Sequence, residues 1–346
     1  MTKTFIRAAL FLMAGCWLGT ANAELSDDGR SCVEGNGKPE ETIVACSRFV
    51  AGEILPEAQL ATAYNRRGMA YFRNHEISQA IADFDNAIRL SPQYASAYNN
   101  RGIVLQDQGD VIRALENFDA AIRLNPKYAF ALANRGVARL AKGDADAAIE
   151  DFDAALALNL PRSELVLTGR GKARMAKGDF DRAIADFDAA LKVNAKYANA
   201  LGGRAYARFC QGRFDAAAAD FSLERELRPD SEASIGLFLA QARGGHDAKA
   251  ALAESVKDVD PQQGQPSGVA LFLGRITPEQ VLQSVSDKDP KTQRDRTCKA
   301  NFHVGEWYLL NGQTDLARAH LAKATQLCDK SFAEFAAARA ELGRLK

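Results

Sequence analysis

The sequence predicts an all-α protein, a right-handed α-solenoid of consecutive helix-turn-helix repeats ending in a C-terminal capping helix. A phenylalanine recurs at Phe84, Phe118, Phe152, Phe187 and Phe221, at intervals of 34 or 35 residues. Self-similarity at such a period marks stacked supersecondary units that bury a continuous core between them. A small residue stands 16 positions before each phenylalanine, at Gly68, Gly102, Gly136, Gly171 and Ala205. Between these marks lie Gly109-Asp110, Gly143-Asp144 and Gly178-Asp179. Each glycine suits a left-handed turn after one helix, and each aspartate can cap the next.

The first element, residues 1–23, reads MTKTFIRAALFLMAGCWLGTANA. Lys3 and Arg7 precede an apolar run from Ala8 to about Leu18, and Ala21-Asn22-Ala23 has the small-x-small pattern of a cleavage site, so 1–23 reads as a removed export signal. The competing reading takes Met13-Ala14-Gly15-Cys16 as a lipobox with a lipidated Cys16; Met13 stands where leucine is usual, and Trp17-Leu18 continue the apolar run. Cleavage removes two of the 44 basic residues and none of the 44 acidic ones. The resulting slightly acidic balance argues against nucleic acid or an anionic membrane surface as the main partner.

Residues 24–60 read as an N-terminal helical cap. Export favours cysteine pairing, and Cys32 and Cys46 lie close together in this segment. Cys298 and Cys328 stand at the two open ends of a predicted antiparallel hairpin, which brings them within bridging reach. Two disulfides are therefore expected, with Cys210 as the odd thiol. The alternative is that all five remaining cysteines are reduced and inert. Zinc is disfavoured because there is no C-x-x-C pair and the chain has only four histidines. No metal site and no cofactor are expected.

Five repeats are expected over 61–231. The first supplies Tyr64, Gly68, Tyr71, Ala80, Phe84, Ala87 and Pro92 at positions 4, 8, 11, 20, 24, 27 and 32 of the unit. The second keeps all of these except the tyrosine at position 11, where Leu105 stands. The third slips its proline to Pro161, which accounts for the single 35-residue interval; the fourth has Ala195 for the proline, and the fifth has Glu224 at position 27. A small residue at position 8 lets the two helices of a hairpin approach, phenylalanine fills the space between them, and proline ends the second helix. These positions resemble the tetratricopeptide repeat (TPR). Within them Arg67, Arg101, Arg135, Arg170 and Arg204 are each followed 16 residues later by Asp83, Asn117, Asp151, Asp186 and Asp220. That offset predicts structural pairs between first and second helices rather than a ladder for an anionic ligand.

The signature Asn-Arg-Gly at 100–102 and 134–136, and Asn65-Arg66-Arg67-Gly68, resembles that of bacterial TPR proteins. Beyond the repeats, 232–296 reads as a degenerate helical connection, with a degenerate helix around Gly236–Arg243 and the stretch LFLGRITPEQ. Residues 297–346 read as a last hairpin built on Gly305, Tyr308, Gly312, Ala317 and Ala324, plus a capping helix from about Ser331 to Leu345. The order and spacing of these segments resemble the C-terminal half of the new-lipoprotein-I type of envelope TPR protein. The resemblance implies a periplasmic, dimerising adaptor that brings a protease or cell-wall hydrolases to their targets. The poor lipobox and the more regular repeats depart from that pattern.

The first helices should present Thr62, Asn65, Met69, Phe72, Asn99, Ile103, Gln106, Phe130, Lys172, Tyr206 and Phe209 to a groove. This mix of apolar and amide side chains suits an extended or helical segment of a protein partner; the alternative is that Met69, Ile103 and Val137 only pack between repeats. Enzyme readings are thin. His303 and Glu306 sit one turn apart near His320, with too few partners for a metal or a nucleophile-base pair. The expectation is a non-catalytic scaffold or adaptor. The alternatives are a purely structural envelope scaffold and a thiol-dependent enzyme using Cys210.

Overall fold

The computed structural model describes residues 27–34, 37–52, 56–255 and 267–346. The expected export signal and the Cys16 lipobox lie outside the described residues. Among the described residues the fold is all-α, with nineteen helices and no strand. They are α1 (Asp27–Glu34), α2 (Pro39–Gly52), α3 (Glu57–Arg73), α4 (Ile77–Leu90), α5 (Ala95–Asp107), α6 (Val111–Leu124) and α7 (Ala129–Lys142). Then come α8 (Ala145–Ala157), α9 (Ser163–Lys177), α10 (Phe180–Val193), α11 (Ala198–Cys210), α12 (Phe214–Leu227) and α13 (Ser231–Arg243). The chain ends with α14 (Lys249–Ser255), α15 (Ser267–Phe272), α16 (Pro278–Gln283), α17 (Pro290–Leu310), α18 (Thr314–Leu327) and α19 (Ala333–Arg344). No helix among the described residues is long and apolar enough to cross a membrane. The chain divides into two compact units, residues 1–138 and 139–346.

In unit one, α3/α4 and α5/α6 are hairpins closed on Phe84 and Phe118, both fully buried. A Cβ added to Gly68 would lie 2.9 Å from the Phe84 ring, and one added to Gly102 would lie 2.7 Å from the Phe118 ring. The spacing of 16 residues is thus a steric match, because the ring needs bare backbone opposite it. Ahead of these hairpins α1 and α2 pack on each other around Phe49, and the Cys32–Cys46 disulfide joins them with Cα atoms 4.6 Å apart.

Unit two repeats the arrangement with a second contact on each ring. Phe187 lies between Gly171 of its own first helix and Gly203 of the next, whose added Cβ atoms would stand 2.8 and 2.5 Å from it. Gly236 meets Phe221 in the same way, so α13 serves as a complete sixth first helix. The expected degenerate helix around Gly236–Arg243 is one regular helix from Ser231, buried throughout 233–240. The 35-residue interval is absorbed between α8 and α9, where Asn159 and Arg162 take left-handed φ values of 52° and 63°.

The turns follow the Gly-Asp pattern. Gly178 has φ 86°, and Asp179 accepts a hydrogen bond from Arg182 N at 3.4 Å. His75 takes the turn glycine's place with φ 66°. The last hairpin, α17/α18, closes on Leu321 in place of a phenylalanine, and a Cβ added to Gly305 opposite would lie 2.8 Å from it. Cys298 and Cys328 are joined across it, Cα atoms 4.9 Å apart. The helix expected to cap the end, α19, also packs against α9 and α11. It lies along first helices of its own unit rather than only closing the stack.

Candidate polypeptide-binding face

The arginines at position 7 are built into the frame. Arg67 Nε donates to Asp83 at 2.7 Å, Arg101 Nε to Asn117 at 2.8 Å, Arg170 Nη2 to Asp186 at 2.6 Å and Arg204 Nη2 to Asp220 at 2.6 Å. Each guanidinium also reaches back to the preceding second helix. Arg101 meets Asp85, Arg135 meets Asp119, Arg170 meets Asp153 and Arg204 meets Asp188, while Arg67 finds Ser47. This second row was legible as the Asp/Asn-Phe-Asp triplets at 83–85, 117–119, 151–153 and 186–188, but the sequence reading did not use it.

On the first-helix face of unit one, side-chain amides form a directional chain. Asn134 donates to Asn99 Oδ1 at 2.9 Å, Asn99 to Asn100 Oδ1 at 3.2 Å, Asn100 to Asn65 Oδ1 at 3.0 Å and Asn65 to the Tyr94 hydroxyl at 3.3 Å. Asn65 and Asn99 are therefore not free amides lining a groove. They are buried and engaged in linking α7, α5 and α3, because an unpaired amide there would be costly. The period of the chain, one asparagine at position 5 and the next repeat's at position 6, was present in the Asn-Arg-Gly signature.

On the same helices as this chain stand half-buried side chains: Thr62, Met69, Phe72, Ile103, Gln106 and Phe130. Met69 and Phe72 lean on the Phe84–Val104 cluster, and Ile103 on the Phe118 cluster. Thr62 donates to Ala58 O at 2.9 Å. Phe130 meets the Tyr128 ring edge-on at 6.3 Å, and Tyr128 in turn donates to Ser96 at 3.4 Å. The outcome is a hydrogen-bonded amide chain with half-buried apolar and hydroxyl groups on the same helices.

Of the three expected groove residues of unit two, Phe209 is closed off, whereas Tyr206 and Lys172 are half-buried. Phe209 is buried and packs on Phe214 at 5.3 Å, inside its hairpin. Tyr206 packs edge-on against Phe221 at 5.0 Å, and burial followed by Glu334, Glu232 and Glu224 pushes its hydroxyl pKa well up. The Lys172 ammonium pKa is lowered, by burial first and then by Arg228, with Glu334 of α19 acting in the opposite direction. Carboxylates from α19, α13 and α12 thus act electrostatically on Tyr206, and Glu334 of α19 acts on Lys172.

The remaining titratable groups serve packing. Burial lowers the His303 pKa to about 4, so the ring is neutral. Glu306, raised by burial and by Glu341, receives a hydrogen bond from Arg243 at 3.1 Å. His320 Nδ1 lies 3.1 Å from Asn301 Oδ1 and its ring stacks on Tyr308. Cys210 is unpaired and buried, and burial raises its thiol pKa far above the ordinary value. Thiolate, the nucleophilic form, is scarce there. Among the described residues no group of three or more His, Cys, Asp or Glu could hold a metal ion.

Residues 101–159 and 168–232 match a family model described as Tetratricopeptide repeat, and residues 68–109 match one described as TPR repeat. No curated protein sequence matches the chain. PilW, a widely conserved type IV pilus biogenesis factor, is similar in structure at 19% identity and TM-score 0.55, over 59% of this chain and 97% of its own. The Cut9–Hcn1 heterotetramer of APC/C contains a chain similar at 20% identity and TM-score 0.57, over 72% of this chain and 48% of that one. A tetratricopeptide repeat protein from Parabacteroides merdae aligns at 17% identity and TM-score 0.50, over 81% and 98%. At these identities the likeness concerns fold. The chain thus carries tetratricopeptide repeats between residues 68 and 232, set in an all-α solenoid.

Proposed function

We propose that this chain is a non-catalytic scaffold of the cell envelope that holds a segment of another polypeptide on the first-helix face of unit one. The observation that carries this reading is the asparagine chain that links the helices bearing Met69, Phe72, Ile103, Gln106 and Phe130. Such a face is pre-organised, so a partner gains contact area without ordering cost on the scaffold side. Half-exposed aromatics on helices so linked are the kind of anchor that dominates polypeptide affinity. An envelope setting is supported by the leader, with Lys3, Arg7 and the Ala21-Asn22-Ala23 cleavage pattern, and by the two disulfides.

Within this reading, the resemblance of the segments after 229 to the new-lipoprotein-I type suggests the role of a dimerising adaptor for a periplasmic protease or wall hydrolase. Anchoring to the membrane requires a lipidated Cys16.

The test is in-cell cross-linking followed by capture of the tagged protein, with the wild type compared against Phe72→Ala/Ile103→Ala/Phe130→Ala. These positions are half-buried, so circular dichroism and the melting temperature must first show that the variant is folded. Loss of a specific polypeptide from the folded variant is expected, since removing an anchor costs about 2 kcal/mol or roughly 30-fold in affinity. Unchanged capture would remove this face from the proposal.

A further inference from the structure

The C-terminal segment treats the solenoid as a ligand would. Three of its cations reach backbone carbonyls of unit two at the ends of α9 and α11 and in the turn that follows α7. Lys330 Nζ donates to Gly143 O, after α7, at 3.4 Å. Arg339 Nη1 donates to Ala176 O in the last turn of α9. Arg344 Nη2 donates to Phe209 O at 3.0 Å and to Cys210 O at the end of α11. The last carbonyls of a helix lack intrahelical partners and carry partial negative charge. One cation per repeat is therefore a charge-complementary fit whose register is that of the solenoid. α19 is also held by packing on α18, by Arg344 over the Phe214 ring, by Glu334, 3.8 Å from Lys299 of α17, and by Glu341, which accepts from Arg243 of α13 at 3.0 Å. Between them Phe335 and Ala336–Ala338 are buried.

The fit does not satisfy every polar group along α9. Glu164, Thr168 and Lys172 follow one another at one-turn spacing along α9. Lys172 feels Glu334 of α19. Nearer the start of α9, Glu164 Oε2 and Thr168 Oγ1 are buried without any hydrogen-bond partner, although both residues are more than nine-tenths buried. Native proteins leave few such atoms, because each forfeits its hydration and gains nothing in exchange. Glu164 Oε1 meets Arg162 Nε at 3.5 Å, so Oε2 and the Thr168 hydroxyl are the two atoms here that α19 leaves unsatisfied.

We propose that the α9/α11 face is a helix-binding site, that α19 is its resident occupant, and that an external helix of the same chemistry replaces it. That helix carries a stripe of small apolar residues, basic side chains placed to reach the carbonyl ends of the first helices, and a hydrogen-bond donor for Glu164 and Thr168. This rests on the reading of first-helix faces as polypeptide-binding, but on unit two and not on the residues assigned in unit one. Docked α19 keeps the site closed until a competitor supplies the missing donor. The tether is short, because the Cys298–Cys328 disulfide fixes the chain just before the segment. The effective concentration of α19 is correspondingly high, so a competitor must bind better than α19 does.

The experiment uses the full mature chain and a labelled synthetic peptide with the sequence of 329–346. Arg339→Ala/Arg344→Ala should raise amide exchange within 333–344 by about tenfold or more, since each lost charged hydrogen bond alone corresponds to that factor. Exchange in α17 and α18 should stay unchanged, and the peptide should bind the variant about tenfold more tightly than it binds wild type. Equal exchange of α19 and α9 in the wild type, showing that α19 leaves only on global unfolding, would overturn the proposal. So would a folded variant that binds no peptide. If the variant does not fold, the wild-type exchange comparison decides alone. The unit-one triple variant should leave both readouts unaltered, so failure of the unit-one reading is seen separately.

Discussion

Phe187 shows what one residue contributes to this fold. Its ring fills the gap left by two glycines on neighbouring first helices, and a Cβ on Gly203 would come within 2.5 Å of it. Phe187→Ala should cost about 3–5 kcal/mol in urea unfolding, because the rigid walls cannot collapse into the space. The phenylalanine was legible in the sequence because it recurs in every repeat, with a small residue 16 positions before it. A companion adjustment was not, because it occurs once. Glu224 takes the place of the small residue at position 27, and Gly202 makes room for it, an added Cβ lying 2.6 Å from the carboxylate. Burial, acting against the attraction of Arg228, raises the Glu224 pKa to about 7. The native state therefore binds a proton that the unfolded state, with a pKa of about 4.3, releases. The associated stability is present at low pH and is lost as pH rises from about 4.3 through about 7, with a slope of at most about 1.4 kcal/mol per pH unit. Glu224→Gln should flatten this decline. Urea midpoints at pH 5 and pH 8 would then differ less in the variant than in the wild type, and an unchanged difference would assign the decline to other groups.

At the scale of helices, the arginine at position 7 ties its own second helix to the one before. The sequence offset of 16 residues revealed the first tie; the second required knowing that consecutive second helices lie side by side. The two ties differ in worth. Asp186 is buried, with its side chain 3% exposed, and it accepts from both Arg170 and Arg174 at 2.6 and 2.7 Å. Asp153 is 52% exposed and meets Arg170 alone. Asp186→Ala removes the buried carboxylate that Arg170 and Arg174 share, leaves Arg170 only its exposed partner Asp153, and should cost about 3–5 kcal/mol. Asp153→Ala removes a solvent-screened pair and should cost under about 1 kcal/mol. Chemical denaturation of the two single variants checks the ordering, and equal losses would mean that the two carboxylates are equally desolvated in solution. The asparagine chain belongs to this scale too. Position 5 suggested amides facing a groove, yet the same side chains are spent on their neighbours, since a hydrogen-bond partner one repeat away is invisible in a single-helix projection.

For the whole molecule, the ends are where sequence and structure part. The helical character of 333–344 was legible, but its placement on α9 and α11 was not, because that depends on where the solenoid brings the carbonyls at the ends of α9 and α11 and in the turn after α7. The same dependence gives the Cys298–Cys328 bridge its importance. The bridge closes a hairpin whose chain separation is 30 residues, and in the chain-entropy account such a closure is worth about 3–4 kcal/mol. In a solenoid, stability is transmitted through neighbouring interfaces rather than one shared core. Cys298→Ser/Cys328→Ser should therefore lower protection first in α17, α18 and α19, which pack on one another. The helices α1 and α2, held by their own Cys32–Cys46 bridge, should keep their protection. Hydrogen exchange of the oxidised double variant tests this directly. If α1 and α2 lose protection together with α17–α19, the bridge stabilises the chain as a single cooperative block. If the loss stays in the C-terminal helices, the bridge acts as a local clasp, and the segment it anchors is the one that lies on the α9/α11 face.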